Sequence, residues 1–497
     1  MITIVGGGTA GWLSALIARQ FLPGARIVVV ESKEIGILGA GEGTTPHFVG
    51  RFLDFCQIPM SELVKHCGAT FKNGIRFVNW RGDGSSYFHP FINDVSGSPK
   101  MPHFHPERWT PPEEVDFTTL ASLRGKCLMR PRPAGAEVGR NPLARVDHLG
   151  AFAVHFDAKR LAAYLKRVAL SRNVEHIEDT VTAVLPDPSG GIDSLVLADN
   201  GRIGGRLFVD CTGFSRVMLG KHFGVRWIDV AESLPVDRAL PFFLPLDGPR
   251  PPFTDAIAME AGWVWKIPVE GRYGCGYVYD SDFIGDDDAR AEVRRMFGAE
   301  VDMPRVLSFR AGYHEKIWVK NCFGVGLATG FLEPLEATSI WASLLSLIEL
   351  FQVHLAQEDD RAHDAMNDFH RRLHERIVDF LYLHYMGGRS DTEFWRTLRE
   401  RTKAPEMSAE ILDGGLRWPF EEDPRNAGHP SPFPAVSWLW IAAGVGLLDR
   451  KAMARYWSYF ALYDGFEERM KEHGDRLSGI ADGCIDHERM LEQLRTF

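Results

Sequence analysis

The chain has 497 residues, 45% hydrophobic and 25% charged, a composition typical of a globular protein of about three domains. Its formal net charge of -10 argues against a nucleic-acid partner, which needs a basic surface, and against attraction to an anionic membrane. The seven cysteines are scattered and form no CxxC pair, so they indicate neither a disulfide framework nor a zinc site.

The first thirty residues predict a βαβ unit that binds a dinucleotide. The strand ITIV precedes the turn GGGTAG, and a helix and a second strand, ARIVVVES, follow. Gly6, Gly8 and Gly11 satisfy G-x-G-x-x-G, in which the glycines allow a tight turn, close approach to a pyrophosphate and helix–strand packing. Glu31 ends the second strand, where a carboxylate accepts a hydrogen bond from a ribose hydroxyl.

Two later segments favour FAD over NAD as this dinucleotide. LFVDCTGF (207–214) and NCFGVGLATG (321–330) each read as a strand that runs into a glycine turn. A nucleotide reached from three distant segments suits FAD extended across a fold of the glutathione-reductase type. Because no second G-x-G-x-x-G follows a strand, an NAD site is not indicated, and a separate protein is expected to supply the reductant.

The character of the sequence changes near residue 337. Residues 70–330 are rich in short strands, whereas most of the later chain is typical of helices, apart from an irregular loop predicted at 418–434. We expect an α/β fold with a Rossmann-like FAD-binding body and strand-rich substrate-side segments over 1–339. A mainly helical cap over 340–497 would complete the substrate pocket. No signal peptide or membrane span is visible, so the expected location is the cytoplasm.

Two features of the strand-rich part have unremarkable explanations when each is taken alone. Trp263 and Trp265 stand two apart in GWVWKIP (262–268), so they share one face of a strand, and such a pair usually lies in a sheet core. Lys72, in ATFKNGIRFVNW, is by default a solvated side chain. Their context in the whole chain changes both interpretations.

Together these segments resemble the flavin-dependent tryptophan halogenases. The blocks that carry the resemblance occur in the family's order: VGGGTAGW (5–12), GAGEGTTP (39–46), FKNGIRFVNW (71–80), HFDA (155–158), FVDCTGF (208–214), GWVWKIP, FLEPLEAT (331–338) and DTEFW (391–395). Trp-x-Trp-x-Ile-Pro is the most specific block, because it separates these halogenases from ordinary flavin monooxygenases. The resemblance covers most of the chain and breaks down between about 400 and 440.

The resemblance implies an enzyme that uses FAD (as FADH2), O2 and a halide ion to make hypohalous acid, which halogenates a small indole-like aromatic. It assigns halogen transfer to Lys72, either as an ammonium that polarises hypohalous acid or as a haloamine. It assigns Glu336 to stabilising the cationic ring intermediate and accepting its proton, and leaves Glu333 structural. A separate NADH-dependent flavin reductase is the implied partner, and a homodimer stays open.

The resemblance also implies three groups of binding residues and no metal site. The cofactor group is Gly6, Gly8, Thr9, Ala10, Gly11, Glu31, Gly39, Ala40, Gly41, Glu42, Gly326 and Leu332. The halide group is the backbone amides of Thr338 and Ser339. The substrate and tunnel group is His89, Phe91, Trp263, Trp265, Pro268 and Trp438. For His89, a hydrogen-bonded structural role is an equal alternative.

Two departures from the family pattern bear on specificity. Ala337, Thr338 and Ser339 stand where the family has Ser-Thr-Gly, and Gly tolerates positive φ whereas Ser does not. We therefore expect a halide pocket of different shape, with a preference for bromide over chloride.

The second departure lies at residues 415–440. This segment lacks the Tyr pair that, with a Glu, clamps the amino-acid backbone in free-tryptophan halogenases. Trp438 and Trp440 remain to stack on a ring. The expected substrate therefore has an indole-like ring and a different remainder, such as a larger one.

Alternatives to an indole halogenase come from two classes. The nearest is a flavin-dependent aromatic hydroxylase or a halogenase of phenols. A phenol is activated by its own deprotonation and does not need Glu336, so this residue favours an indole or a pyrrole. The alternative of another class is a non-catalytic FAD-fold binding protein, which would need neither Lys72 nor the Trp pair.

Overall fold

The computed structural model describes residues 1–34, 42–91, 105–107, 112–133, 142–357, 359–387, 389–400, 433–459 and 461–497. They form two compact units. The first unit comprises Met1–Ala69, Phe156–Pro235 and Arg310–Glu375. The second unit comprises Thr70–His155, Val236–Phe309 and Arg376–Phe497. This division differs from the single boundary after residue 339 expected from the sequence, because distant segments supply strands to each sheet.

Strands predominate before residue 337, and helices follow it. The strands are β1 Ile2–Val5, β2 Ile27–Glu31, β3 Thr70–Lys72, β4 Gly74–Val78, β5 Ser86–Pro90, β6 Met129–Pro131, β7 Val146–His148, β8 Ala153–His155, β9 Glu175–Glu178, β10 Val181–Pro186, β11 Ile192–Leu197, β12 Arg202–Gly204, β13 Leu207–Asp210, β14 Trp227–Asp229, β15 Arg238–Leu244, β16 Thr254–Ala258, β17 Gly262–Val269, β18 Arg272–Tyr279, β19 Leu307–Ser308, β20 Gly312–His314, β21 Trp318–Val319, β22 Cys322–Gly324 and β23 Gly330–Phe331. The α-helices are α1 Thr9–Phe21, α2 Met60–Cys67, α3 Pro112–Val115, α4 Phe117–Leu123, α5 Ala158–Ser171, α6 Asp286–Phe297, α7 Thr338–Glu349, α8 Asp360–Tyr385, α9 Glu393–Glu400, α10 Ala435–Gly444, α11 Arg450–Tyr459, α12 Phe466–Asp482 and α13 His487–Thr496.

A six-stranded sheet forms the centre of the first unit, in the order β21–β22–β13–β1–β2–β9. β1 pairs in parallel with β13 and with β2, so Ile2 lies beside both Leu207 and Ile27. All of β1 is buried, as expected for a central parallel strand. The βαβ start and the strands recruited from distant segments confirm the predicted Rossmann-like α/β body.

A seven-stranded sheet forms the centre of the second unit, in the order β19–β15–β18–β17–β16–β4–β5. Its pairs are antiparallel except for β16 with β4, which are parallel. β3 immediately precedes β4 and pairs with β8 in a separate two-stranded ladder. The helices after residue 430 pack in part on α3 and α4, through clusters that include Val115 with Leu439 and Phe117 with Leu477.

The two units share two further features. All seven cysteines are buried thiols. Across the described ranges, no helix combines the length and apolar character needed to cross a membrane.

Candidate active site

The turn between β1 and α1 forms an open cradle at the helix N-terminus. Gly6 has a φ of 121°, and a Cβ atom there would lie 2.2 Å from the carbonyl oxygen of Cys211. A Cβ atom on Gly11 would lie 1.8 Å from the carbonyl oxygen of Gly6. A Cβ atom on Gly8 would meet no described atom within 4 Å, and no described side chain caps α1. Space and uncapped amides at this point fit the pyrophosphate of FAD.

Glu31, the predicted ribose ligand, is held at the end of β2 by two residues that the sequence did not single out. Its Oε2 accepts from Lys166 Nζ at 2.7 Å and lies 3.0 Å from His176 Nε2. Burial, followed by the charge of Lys166, lowers the pKa of His176. A Cβ atom on Gly7 would lie 2.1 Å from the Glu31 carboxyl carbon, so the middle glycine of GGG is needed for this carboxylate.

Of the other predicted cofactor residues of the first unit, Gly326 lies near this turn. Gly326 has a φ of 69°, and a Cβ atom there would lie 2.9 Å from Cβ of Ala10. Ala10 follows Thr9, the first residue of α1. Leu332 and Glu42 are buried, and the Glu42 carbonyl accepts from the amide of Phe156. The structure therefore brings the 321–330 segment to α1, as the FAD prediction requires. Gly39, Ala40 and Gly41 lie outside the described residues.

The two carboxylates of EPLEATS lie directly before α7. Glu333 and Glu336 are 3% and 2% exposed, so burial alone does not distinguish them. Ala337 has a left-handed backbone with a φ of 53° and is the N-cap of α7, which begins at Thr338. Ser339, by contrast, has helical backbone. The positive φ considered for Ser339 thus falls at Ala337, and the amides of Thr338 and Ser339 belong to the first helical turn.

A cavity of about 20 Å³ lies beside one stripe of α7 in the first unit. Its polar lining includes Thr329, Ser339, Ser343, Ser346 and His374. Burial lowers the pKa of His374 to about 4, so this imidazole is neutral at pH 7. The volume is enough for one water-sized occupant.

In the second unit, Lys72 is buried at the end of β3. Its exposure is 1%, so the default expectation of a solvated lysine was wrong. Its Nζ lies 5.3 Å from the centroid of the Phe91 ring. The structure therefore brings together a predicted catalytic residue and a predicted substrate residue, and places a cation against an aromatic wall.

His89 lies on β5 in an aromatic cluster that includes two residues missed by the sequence analysis. Its ring lies 5.7 Å from Phe380, which stacks on Phe433 at 3.7 Å and lies 5.0 Å from Trp438. Trp438 is fully buried, and its indole N–H has no partner among the described residues. The aromatic character of these residues was visible in the sequence, but their spacing gave no sign that they meet.

Trp263 and Trp265 point to the same face of β17, with ring centroids 6.3 Å apart. Trp263 is buried and its indole N–H donates to Tyr385 Oη at 3.1 Å, so it is anchored in the sheet core. Trp265 lies across Gly276, where a Cβ atom would come within 2.1 Å of the indole. Pro268, near the end of β17, accepts from the Thr70 hydroxyl at 2.7 Å, which connects this strand to β3.

The sequence matches the tryptophan halogenase family over residues 1–457. The chain belongs to this family. Tryptophan 6-halogenase SttH of Streptomyces toxytricini is 33% identical, over 91% of each chain, and its crystal structure superposes with a TM-score of 0.86 over 99% of each chain. BrvH, a flavin-dependent halogenase from Brevundimonas sp. BAL3, is 30% identical with a TM-score of 0.81 over 99% of this chain and 98% of BrvH. The lanthipeptide tryptophan 5-halogenase MibH is 26% identical with a TM-score of 0.83 over 100% of this chain and 93% of MibH.

Family membership settles the class of protein. The chain is a flavin-dependent halogenase, and therefore an oxidoreductase, with the predicted fold. The family uses FADH2, O2 and a halide, and its members typically depend on a separate flavin reductase. Neither the aromatic hydroxylase nor the non-catalytic binding protein is favoured.

Proposed function

We propose that this halogenase makes hypohalous acid from halide and transfers the halogen through Lys72 to an indole-like ring whose remainder differs from that of free tryptophan. The observation that carries this proposal is the burial of Lys72 beside Phe91. An amine held next to an aromatic wall lies where a flat ring can pack, which is the placement that halogen transfer to an aromatic substrate requires.

In the proposed reaction, an aromatic C–H and hypohalous acid give a carbon–halogen bond and water. Bound reduced FAD supplies, with O2 and halide, the hypohalous acid. Lys72 holds the electrophile at a fixed point, as an ammonium or as a haloamine, so that substrate placement determines which carbon reacts. With an ammonium at Lys72, the ring carbon forms its bond to halogen as the oxygen–halogen bond of the acid breaks, and the hydroxide leaves as water after taking up a proton. With a haloamine, water has already left when the nitrogen–halogen bond formed, and the ring carbon takes the halogen as that bond breaks and the amine is restored with a proton.

Glu336 is proposed to stabilise the cationic ring and accept its proton. A buried carboxylate is suited to both tasks, because electrostatic stabilisation is stronger away from water. Glu333 is equally buried, so its structural assignment rests on the family pattern alone.

The halide is proposed to bind at the amides of Thr338 and Ser339. Two observations support this position. Both amides lie in the first turn of α7, whose N-cap Ala337 provides no side-chain cap, and Ser339 also lines the small cavity beside the helix. We keep bromide as the preferred halide, because the sequence departs from the family pattern at this position. Faster chlorination at equal halide concentrations would contradict this preference.

The substrate proposal rests on the absence of Tyr from the sequence at 415–440, where residues 415–432 lie outside the described part of the chain, and on the aromatic cluster of His89, Phe380 and Trp438. Aromatic surfaces accept any flat ring, whereas polar clamps select an amino-acid backbone. The similarity to MibH, which acts on a lanthipeptide tryptophan, agrees with a substrate larger than the free amino acid.

The direct test incubates the protein with FAD, a flavin reductase, NADH and bromide, in parallel with indole, a tryptophan-containing peptide and free tryptophan. Mass spectrometry should detect brominated indole and brominated peptide in excess over brominated tryptophan. Turnover that favours free tryptophan over indole would contradict the substrate proposal. Absence of product from every aromatic would contradict the transfer proposal. A cytoplasmic location and a homodimer stay predictions.

A further inference from the structure

The HFDA motif at 155–158 contains a histidine that the proposed function does not use. His155 ends β8 in the second unit and is fully buried. In the register of the two-stranded ladder, His155 lies opposite Thr70, and Ala153 lies opposite Lys72. Because side chains alternate along a strand, Thr70 and Lys72 share one face of β3. His155 is therefore a near neighbour of the proposed halogen-transferring lysine.

A buried chain of hydrogen bonds passes through His155. The Nε2 atom lies 2.8 Å from the hydroxyl of Thr254 on β16, and Nδ1 lies 3.0 Å from the hydroxyl of Thr70. The Thr70 hydroxyl in turn lies 2.7 Å from the carbonyl oxygen of Pro268 on β17. These hydrogen bonds thus join three segments singled out in the sequence: ATFKNGIRFVNW, which contains Thr70, HFDA and GWVWKIP.

The partners in this chain determine its direction. A carbonyl oxygen only accepts, so the single hydroxyl proton of Thr70 goes to Pro268. Thr70 must then accept from His155, which places the imidazole proton on Nδ1 and leaves Nε2 to accept from Thr254. Burial, followed by the charges of Lys72 and His487, lowers the pKa of His155 well below its usual range, in agreement with a neutral ring.

A second histidine holds the same strand from another direction. His487, the first residue of α13, accepts the Phe71 amide at Nε2 over 3.1 Å. Its Nδ1 lies 2.8 Å from the Arg250 carbonyl, to which it donates. β3 is only three residues long, so these side-chain bonds supply support that a short ladder cannot.

We propose that His155 is a positioning residue, which fixes the β3 strand and hence Lys72 relative to the Trp263–Pro268 strand. The proposal rests on the proposed function of Lys72. Positioning matters for such a reaction because a displacement of about 1 Å can cost about 100-fold in rate. Loss of these hydrogen bonds should therefore slow transfer of the halogen to the substrate more than it slows formation of hypohalous acid.

The test compares two histidine substitutions with different remaining bonds. The amide nitrogen of His155→Asn can take the place of Nδ1 and still donate to Thr70, whereas His155→Gln reaches toward Thr254 and leaves Thr70 without its donor. Thr70→Val removes the central hydroxyl at nearly constant volume. His473→Gln is the matched control, because His473 is a buried histidine of the second unit that bonds to the Val115 carbonyl, far along the chain from β3.

Two readouts are measured for each variant. Hydrogen–deuterium exchange of a peptide covering residues 69–74 reports the mobility of β3 without cofactor or substrate. In turnover with FADH2, O2 and bromide, a soluble 1,3-diketone captures free hypohalous acid, and its halogenation is compared with that of indole. In His155→Gln and Thr70→Val, the peptide should exchange faster, and the ratio of indole product to diketone product should fall about 10- to 100-fold. In His155→Asn, both the exchange rate of this peptide and the product ratio should lie closer to the wild-type values.

The outcomes separate this proposal from the proposed function. Unchanged exchange in His155→Gln overturns the positioning role, and so does faster exchange with an unchanged product ratio. An equal loss of both products in His155→Gln and His473→Gln indicates a merely structural histidine and also overturns it. If the wild-type enzyme halogenates the diketone but no aromatic substrate, the proposed transfer to an indole ring fails, whereas the exchange experiment still tests the support of β3.

Discussion

The two units hold their proposed site residues by different means. In the first unit, backbone geometry within one short turn forms the cofactor cradle: carbonyl oxygens leave no room for a Cβ atom on Gly6 or Gly11, whereas Gly8 faces open space. In the second unit, the strand that carries Lys72 is held through Thr70, which bonds to His155 and to Pro268. These two partners lie 85 and 198 residues after Thr70 in the sequence. A site formed by backbone is visible in local sequence, whereas a site supported by side chains becomes visible only in the fold.

The largest expected effect tests the side-chain-built site. Lys72→Ala should lower halogenation of indole by about 10⁴-fold, because the electrophile loses its fixed position. Formation of hypohalous acid, followed with the diketone, should continue. Lys266→Ala is the control, since Lys266 lies on β17, the strand of Trp263 and Trp265, but its amine contacts Asp247 and the Tyr273 ring rather than Phe91. Equal losses in the two variants would show that Lys72 has no special part in transfer.

A smaller effect distinguishes the two buried carboxylates before α7. Glu336→Gln should slow halogenation of indole by about 10³-fold, because a positioned base contributes about 10²- to 10⁴-fold. The same variant should act normally on a phenol, which supplies its own activation. Glu333→Gln, an identical change at an equally buried site, should leave both rates unchanged. Rates for indole and phenol under single-turnover conditions provide the measurement. Loss of phenol halogenation in Glu336→Gln would assign this residue a structural role.

Each unit contains a buried histidine that should make the free energy of unfolding depend on pH. Burial lowers the pKa of His374 in the first unit and of His487 in the second to about 4, against about 6.5 when unfolded. Between these values the unfolded chain binds more protons. The stability from each neutral ring is therefore complete above about pH 6.5 and declines as the pH falls toward 4. Each histidine should cost about 2 kcal/mol between pH 7 and pH 5.

Urea unfolding at the two pH values measures this loss. The amide of His374→Asn can replace Nδ1, which lies 2.9 Å from the His370 carbonyl, and that of His487→Gln can replace Nε2, which accepts from the Phe71 amide. Both changes remove the titrating ring, so each variant should lose about 2 kcal/mol less than wild type on acidification. His66→Gln is a suitable control because this ring is partly exposed on α2. If a variant loses as much stability on acidification as wild type, the histidine that it lacks does not cause the loss.

The fold was largely predictable from the sequence because its signals are local. A β-branched run followed by the glycine spacing predicts the β1–α1 turn, and the strands predicted within 207–214 and 321–330 do join the same sheet, as β13 and β22. The sequence did not predict that residues 70–155 and 236–309 form one unit with the C-terminal helices. That division depends on pairings between distant strands, such as β4 with β16, which leave no periodic signal.

The candidate site was predictable only as far as residue type and spacing allowed. The burial of Lys72 was missed because a lysine beside a strand is usually solvated, and nothing in its neighbours indicated His155. The partners of Glu31 were missed for the same reason, since Lys166 and His176 approach it from later segments. The left-handed Ala337 was missed because alanine seldom adopts positive φ.

The smallest predicted effect tests the backbone-built site. Gly8→Ala should fold normally, because the added methyl group meets no described atom within 4 Å. It should weaken FAD binding about tenfold, since the methyl group occupies space that the pyrophosphate needs, at a cost of roughly 1–3 kcal/mol. Gly24→Ala is the matched control, an exposed glycine of the first unit with equally open surroundings. Fluorescence titration of FAD gives the affinities, and thermal melts verify folding. Equal FAD affinity in the two variants would mean that the pyrophosphate does not lie against Gly8.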